Sequence, residues 1–300
     1  MRIAALAHRP VDQRLRDCVA ALDPGAPRDY RELAGLLVTD WLASTPRRVG
    51  LGGGQGAGKS TLGRLLEAAG EVVGLRVCVL ALDDFYLPRS DRLRLADTIH
   101  PLFETRGPPG THDTAACHAA LTGLVERGRC VVPRFDKGID DRAGVREMEG
   151  PFDVVVLEGW CVGAAPSPAS ESSAPCNALE EFEDADGRWR TSIEQALRER
   201  YVPLWSLLDQ LVFLRVPDLA AVRRWRLEQE LARPAALRLD ADAIDRFVQH
   251  YERITLRMAA AMPGAADVTV DLATDHSVAA IHYREPRSHA SGRRSGTGGE

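Results

Sequence analysis

Apolar positions in this 300-residue chain fall into two rhythms. The first is the short continuous run. Val49-Gly50-Leu51, Arg76-Val77-Cys78-Val79-Leu80-Ala81-Leu82, Val154-Val155-Val156-Leu157 and Leu211-Val212-Phe213-Leu214-Arg215-Val216 are nearly unbroken, as strands buried on both faces of a parallel sheet are. Cys130-Val131-Val132 and Val268-Thr269-Val270-Asp271 predict two further strands. The second rhythm repeats every three or four residues and predicts helices. They run from about 11 to 44, broken at Asp23-Pro24-Gly25 and resuming behind an Asp29 cap, and from residue 61 onward. Others cover Thr114–Arg127 behind an Asp113 cap, the Ile193–Leu208 region interrupted at Pro203, the segment after Pro217-Asp218, and 240–261. Residues 88–114 and 133–142, rich in Pro, Gly and charge, read as loops. Strands alternate with helices, so the fold class is α/β, a parallel sheet with helices on both faces.

Between the first strand and its helix lies Gly53-Gly54-Gln55-Gly56-Ala57-Gly58-Lys59-Ser60, the G-x-x-x-x-G-K-[ST] pattern of a P-loop. Glycines there let backbone N–H groups turn inward on a phosphate chain, and the helix N-terminus adds partial positive charge. Lys59 is placed to reach the β- and γ-phosphates. Ser60, with Thr61 beside it, offers a hydroxyl to Mg²⁺. The α/β sheet is thus expected to be that of a three-layer P-loop NTPase fold, with ATP and Mg²⁺ as cofactors. Two further strands end in acids: Asp83 follows the second, and Glu158 closes Val154–Leu157 as a Walker-B-like carboxylate able to hold the metal beside Ser60. In parallel sheets chemistry gathers at the C-terminal strand ends, which brings both acids to the P-loop.

Composition narrows the partners. The formal charge of −5 argues against non-specific binding of nucleic acid or anionic membrane. No apolar run approaches the roughly 18 residues of a membrane span, and the apolar stretch at the N-terminus is too short for a signal-peptide core. The six cysteines are scattered, without a C-x-x-C pair or zinc spacing, and read as reduced thiols of a cytoplasmic protein. Three regions are expected: a helical segment over 1–46 packed on the core, a kinase domain over 47–283 with a lid helix near 218–232, and a disordered tail over 284–300. Residues 163–176 are low-complexity, and 177–190 are acidic.

No guanine-reading N-K-x-D segment is present. An acid at a strand end facing the phosphates suits transfer to a hydroxyl, which needs a base, cations on the γ-phosphate and Mg²⁺. Asp83 is the candidate base, ahead of Asp84. This layout of P-loop, strand plus Asp-x-Phe-Tyr, strand plus Glu-Gly and Arg-rich helix resembles the phosphoribulokinase/uridine kinase/pantothenate kinase superfamily. Leu82-Asp83-Asp84-Phe85-Tyr86-Leu87, Arg106-Gly107-x-x-Gly110-Thr111-His112-Asp113, Val132-Pro133-Arg134-Phe135-Asp136-Lys137, Leu157-Glu158-Gly159-Trp160 and Trp225-Arg226-Leu227-Glu228-Gln229-Glu230 are similar, in that order, to the D-glycerate 3-kinase-like group. The resemblance implies Asp83 as base and metal contact, and Lys59 with a lid arginine, Arg226, on the transferring phosphate. It also implies Tyr86, Arg106, His112, Arg134, Lys137, Arg142 and Glu158 around a small hydroxy acid. A guanidinium suits the carboxylate of such an acceptor. The stretch after Trp160 departs from the plant pattern. A nucleoside or pantothenate-like acceptor, and a P-loop regulator with no small-molecule acceptor, stay open as alternatives.

Overall fold

The computed structural model describes residues 1–168, 174–231, 238 and 240–284. Three helices, α1 (Arg2–Leu6), α2 (Gln13–Ala21) and α3 (Arg28–Ser44), precede β1 (Arg48–Gly53), α4 (Lys59–Val73) and β2 (Val77–Ala81). Then come α5 (Arg89–Thr98), α6 (Thr114–Glu126), β3 (Arg129–Asp136), β4 (Asp141–Glu149) and β5 (Val154–Gly159). The chain continues through α7 (Ala178–Glu183), α8 (Arg188–Ala196), α9 (Val202–Trp205), β6 (Gln210–Arg215), α10 (Leu219–Leu231), α11 (Ala241–Ala265), β7 (Val268–Leu272) and β8 (Val278–Tyr283).

Six strands form one sheet in the order β2-β5-β1-β6-β7-β8. The first five run parallel, as their apolar runs predict, and β8 adds an antiparallel edge. Successive side chains of a strand point to opposite faces, and β5 and β6 show it. Val154, Val156, Val212 and Leu214 join a core with α3 and α4, while Val155, Leu157 and Phe213 join another with α6, α8 and α11. Burying each such side chain contributes about 1.5–3 kcal/mol, so the central strands are held rigidly from both sides. Register then sets the site: Glu158 pairs with Leu51 of β1 on one side and with Ala81 of β2 on the other.

Several expectations are corrected. Cys130–Val132 begins a strand outside the parallel sheet: β3 pairs antiparallel with β4 in a separate ribbon. The polar segment 133–142 is therefore largely strand and turn, with a bulge between Pro133 and Phe135. β4 is mostly exposed, so it lacks the alternation that betrays a half-buried strand. Residues 89–98 are helical, not loop. Asp91 sits favourably in that helix's first turn, and Arg92 is buried by donating to the Glu104 carbonyl and to Asp140 Oδ2 at 2.8 Å. Asp29 caps nothing; its Oδ2 accepts from the Val278 N–H at 2.9 Å, tying α3 to β8. The expected Asp113 cap holds, accepting from Ala116 N–H, and Asp218 and Asp240 cap their helices in the same way, accepting from Ala221 N–H and Ala243 N–H. Pro203 does not break its helix: it sits in the first turn of α9, where a missing N–H is tolerated, directly after a π turn over Leu197–Tyr201. Residues 169–173 of the low-complexity stretch, position 232 at the end of the expected lid, and 285–300 of the expected tail lie outside the described residues.

Candidate active site

The P-loop leaves β1 and opens α4 from a left-handed Gly58 at φ +74°. A side chain there would be strained, and its Cβ would also meet the Tyr30 ring at 2.7 Å. Tyr30 explains the closeness: its hydroxyl donates to the Ala57 carbonyl at 2.8 Å, so α3 buttresses the loop. On the other flank Trp225 of α10 packs against Gly56. Lys59 Nζ bridges the carbonyls of Gly53 and Gly54 at 2.8 and 2.9 Å. Burial lowers its pKa from the ordinary lysine value, against the pull of Glu158 and Asp83. Ser60 Oγ donates to Glu158 Oε1 at 2.7 Å. Burial raises the Glu158 carboxyl, although Lys59 and Ser60 oppose it. Thr61 follows in the first turn. A cleft of about 320 Å³ opens beside the loop, lined by Tyr30, Gly56, Gly58, Lys59, Gln229 and His276 among others.

Asp83 lies in a 3₁₀ turn, Leu82–Phe85, directly after β2. Burial pushes its carboxyl up, but the charge and hydrogen bond of Lys137, with His112 and Tyr86, more than offset this and hold it below the ordinary aspartate value. Lys137 Nζ is 2.5 Å from Asp83 Oδ2, so this lysine stands directly on the Asp83 carboxylate. Asp84 is turned to scaffolding: its carboxylate accepts from the Phe135 N–H and faces Arg146. Tyr86 stacks on His112, with ring centroids 4.4 Å apart, and meets Phe135 edge-on at 5.1 Å. His112 is buried and kept neutral, its pKa lowered by burial to about 4. Its Nδ1 lies 2.7 Å from the Tyr201 hydroxyl, while Nε2 is buried with no partner among the described residues.

The arginines divide. Arg106 pairs with Asp140 and lies over the Phe135 ring. Arg142 is spent on scaffolding, donating to the Tyr86 carbonyl at 2.9 Å and to Asp113 Oδ2 at 3.0 Å. Arg226 is held along its own helix by Glu230 at 2.5 Å and stacks on Phe247, rather than standing free over the P-loop. Arg134, at the ribbon's bulge, is exposed and makes no ion pair among the described residues. The structure therefore gathers Lys59, Ser60, Asp83, Tyr86, His112, Lys137 and Glu158 at one strand-end cluster. Arg142 is diverted to bracing, Arg106 is engaged by Asp140, and Arg226 by its own helix.

Sequence reasoning missed Tyr30 and Tyr251. Tyr30 sits among core apolar residues of α3, and only its reach to Ala57 reveals it. Tyr251 shares the helical spacing of Val248, Ile254 and Met258 and so reads as core. Its hydroxyl nevertheless donates to the Arg106 carbonyl at 2.9 Å, and its ring meets Trp160 edge-on at 4.7 Å. Ser60, Glu158 and Asp83 supply hard oxygen donors next to the P-loop lysine, a donor set that fits Mg²⁺.

No protein-family model matches the chain. Known proteins do. Over 222 residues the chain is 30% identical to the uncharacterized kinase mug58 of Schizosaccharomyces pombe, covering 69% of this chain and 78% of that protein. The chain belongs to the D-glycerate 3-kinase-like family of P-loop kinases. It is accordingly an ATP-dependent kinase of small molecules. The chloroplastic D-glycerate 3-kinase of Arabidopsis thaliana is 29% identical over 254 residues, 77% of this chain, though the chain spans only about half (52%) of that protein. The solved D-glycerate 3-kinase of Cryptococcus neoformans superposes with a TM-score of 0.68 at 28% identity, over 85% of this chain and 99% of that one. The Cryptococcus enzyme thus shares the fold described above. Among the described residues no helix is long and apolar enough to cross a membrane.

Proposed function

We propose that this kinase transfers the γ-phosphoryl group of ATP to the terminal hydroxyl of D-glycerate, giving 3-phosphoglycerate. The observation that carries the reading is the pairing of an ionised, lysine-clamped Asp83 with the P-loop across one strand end. Asp83 accepts the hydroxyl proton as the oxygen attacks. Lys59 leaves the Gly53 and Gly54 carbonyls and meets the β- and γ-phosphates, where positioning and charge supply most of the catalysis. Ser60 and Glu158 hold Mg²⁺, whose chemistry when bound is to neutralise charge on the phosphates. Arg106, Arg134 and Lys137 offer the cations a small carboxylate acceptor needs, and His112 a hydrogen bond. The names of two relatives support glycerate as the acceptor. The domain reading stands beside this one: 1–46 a buttress of the nucleotide site, 47–283 the kinase domain, and α10 its lid. Six free thiols support placement in the cytoplasm.

A coupled assay with ATP across D-glycerate, uridine and pantothenate tests the acceptor. D-glycerate is expected to turn over fastest. A preference for uridine or pantothenate would replace the reading with that of another acceptor. ATP binding with no turnover on any of the three would overturn it.

A further inference from the structure

Tyr201 sits deep behind the acceptor side of the site, at the end of the π turn, and is fully buried. The Gly110 N–H donates to its oxygen at 2.9 Å. Among the described residues the hydroxyl proton has one acceptor within hydrogen-bond reach, His112 Nδ1 at 2.7 Å. A neutral imidazole that accepts at Nδ1 carries its proton on Nε2. That Nε2–H is 1% exposed with its residue and has no acceptor among the described residues, a costly state for a buried donor. The ring cannot turn away, because Tyr86 stacks on one face and Tyr201 meets it edge-on at 5.8 Å. Asp83 lies close enough to act on the imidazole through its charge.

We propose that Tyr201 is a positioning residue that locks His112 in the Nε2–H tautomer, so that His112 donates to the acceptor oxygen adjoining the hydroxyl that Asp83 deprotonates. The pair reads a vicinal diol: one oxygen gives a proton to Asp83, and its neighbour receives a hydrogen bond from Nε2. In D-glycerate that neighbour is the secondary hydroxyl, so the inference rests on the acceptor proposed above. A site holding a buried donor penalises an acceptor lacking the matching oxygen. A π turn is a recurrent device for setting one side chain at a functional site.

The test uses the full chain and three variants, Tyr201→Phe, His112→Gln and His112→Asn, on D-glycerate and on 3-hydroxypropanoate, which lacks the secondary hydroxyl. Tyr201→Phe is expected to raise KM for D-glycerate by about five- to tenfold, the worth of one hydrogen bond. Its KM for ATP should stay level, and the penalty should shrink on 3-hydroxypropanoate. Glutamine places an amide N–H where Nε2 stood, so His112→Gln should retain more D-glycerate activity than His112→Asn. Nitrogen-15 NMR of histidine-labelled protein reads the tautomer directly, with His112 as Nε2–H in the native chain and mixed in Tyr201→Phe. An equal penalty on both acceptors, or an Nδ1–H tautomer in the native chain, overturns the proposal. If neither acceptor is phosphorylated the glycerate reading fails, whereas the NMR result still decides the tautomer.

Discussion

Two clusters of opposite charge, one at the P-loop and one where α7 and α8 meet α11, are built from similar residues and finished differently. In the second cluster the buried carboxylates of Glu180, Asp184 and Glu194 each have two or more partners, although Arg257 Nε and Nη2 are buried there without one among the described residues. Glu180 accepts from Arg253 and from the Cys176 N–H at 2.8 Å each. Asp184 takes the Trp189 N–H at 2.8 Å and the Arg190 guanidinium at 3.1 Å. Glu194 takes Arg257 and the Ser167 N–H, both at 2.7 Å. The acidic stretch thus docks in part on the arginines of α11, Glu180 on Arg253 and Glu183 on Arg246. At the P-loop, by contrast, Glu158 holds one hydroxyl, Lys59 holds only backbone carbonyls, and His112 keeps a donor unused. Carboxylates met by guanidinium and backbone N–H groups are committed to the fold, whereas Glu158 and Lys59 keep capacity that a substrate can meet.

The comparison can be broken at three points. The largest effect is expected from Asp83→Asn, which should lower kcat by about 10²–10⁴ as a lost general base does, with ATP affinity nearly kept. Unchanged turnover would remove Asp83 from the chemistry. Next, Glu180→Ala should cost about 1.5–3 kcal/mol in a denaturant melt, because half-buried Arg253 and the Cys176 N–H lose a charged acceptor. The kcat of its folded fraction should hold, and a matching loss of kcat would move this cluster into the active site. The smallest is a pH effect. Lys137 holds the Asp83 carboxyl down, so Lys137→Ala lets that pKa rise and moves the acid limb of the kcat profile toward higher pH. A limb that stays put, or moves to lower pH, would show that Lys137 does not set the ionisation of the base.

What the chain discloses in advance follows the same division. The runs around Val49, Val79, Val155 and Phe213 are legible because strands covered on both faces are apolar throughout. β4 is illegible for the opposite reason: with Val145 65% exposed, it has no buried face to write into the sequence. Ser60, Asp83 and Glu158 come together as expected because strand ends of a parallel sheet share one edge. The arginines do not disclose their roles, since a guanidinium on a loop is defined by the carboxylate it meets. For Arg106 that is Asp140, 34 residues away; for Arg142 it is Asp113, 29 residues away. Tyr30 is hidden because one hydroxyl contact leaves no periodic trace.

The central position of β1 has a consequence for how the protein is made. Its neighbours in the sheet are β5 and β6, and the cleft beside its loop is walled by Tyr30 from the beginning of the chain and His276 from near its end. Asp29 reaches Val278 to join those ends. A ribosome that has delivered the P-loop has therefore delivered a motif and not yet a grip. That cleft is complete only once the β7–β8 hairpin has joined the sheet, so ATP that binds there is expected to stabilise the folded chain by mass action.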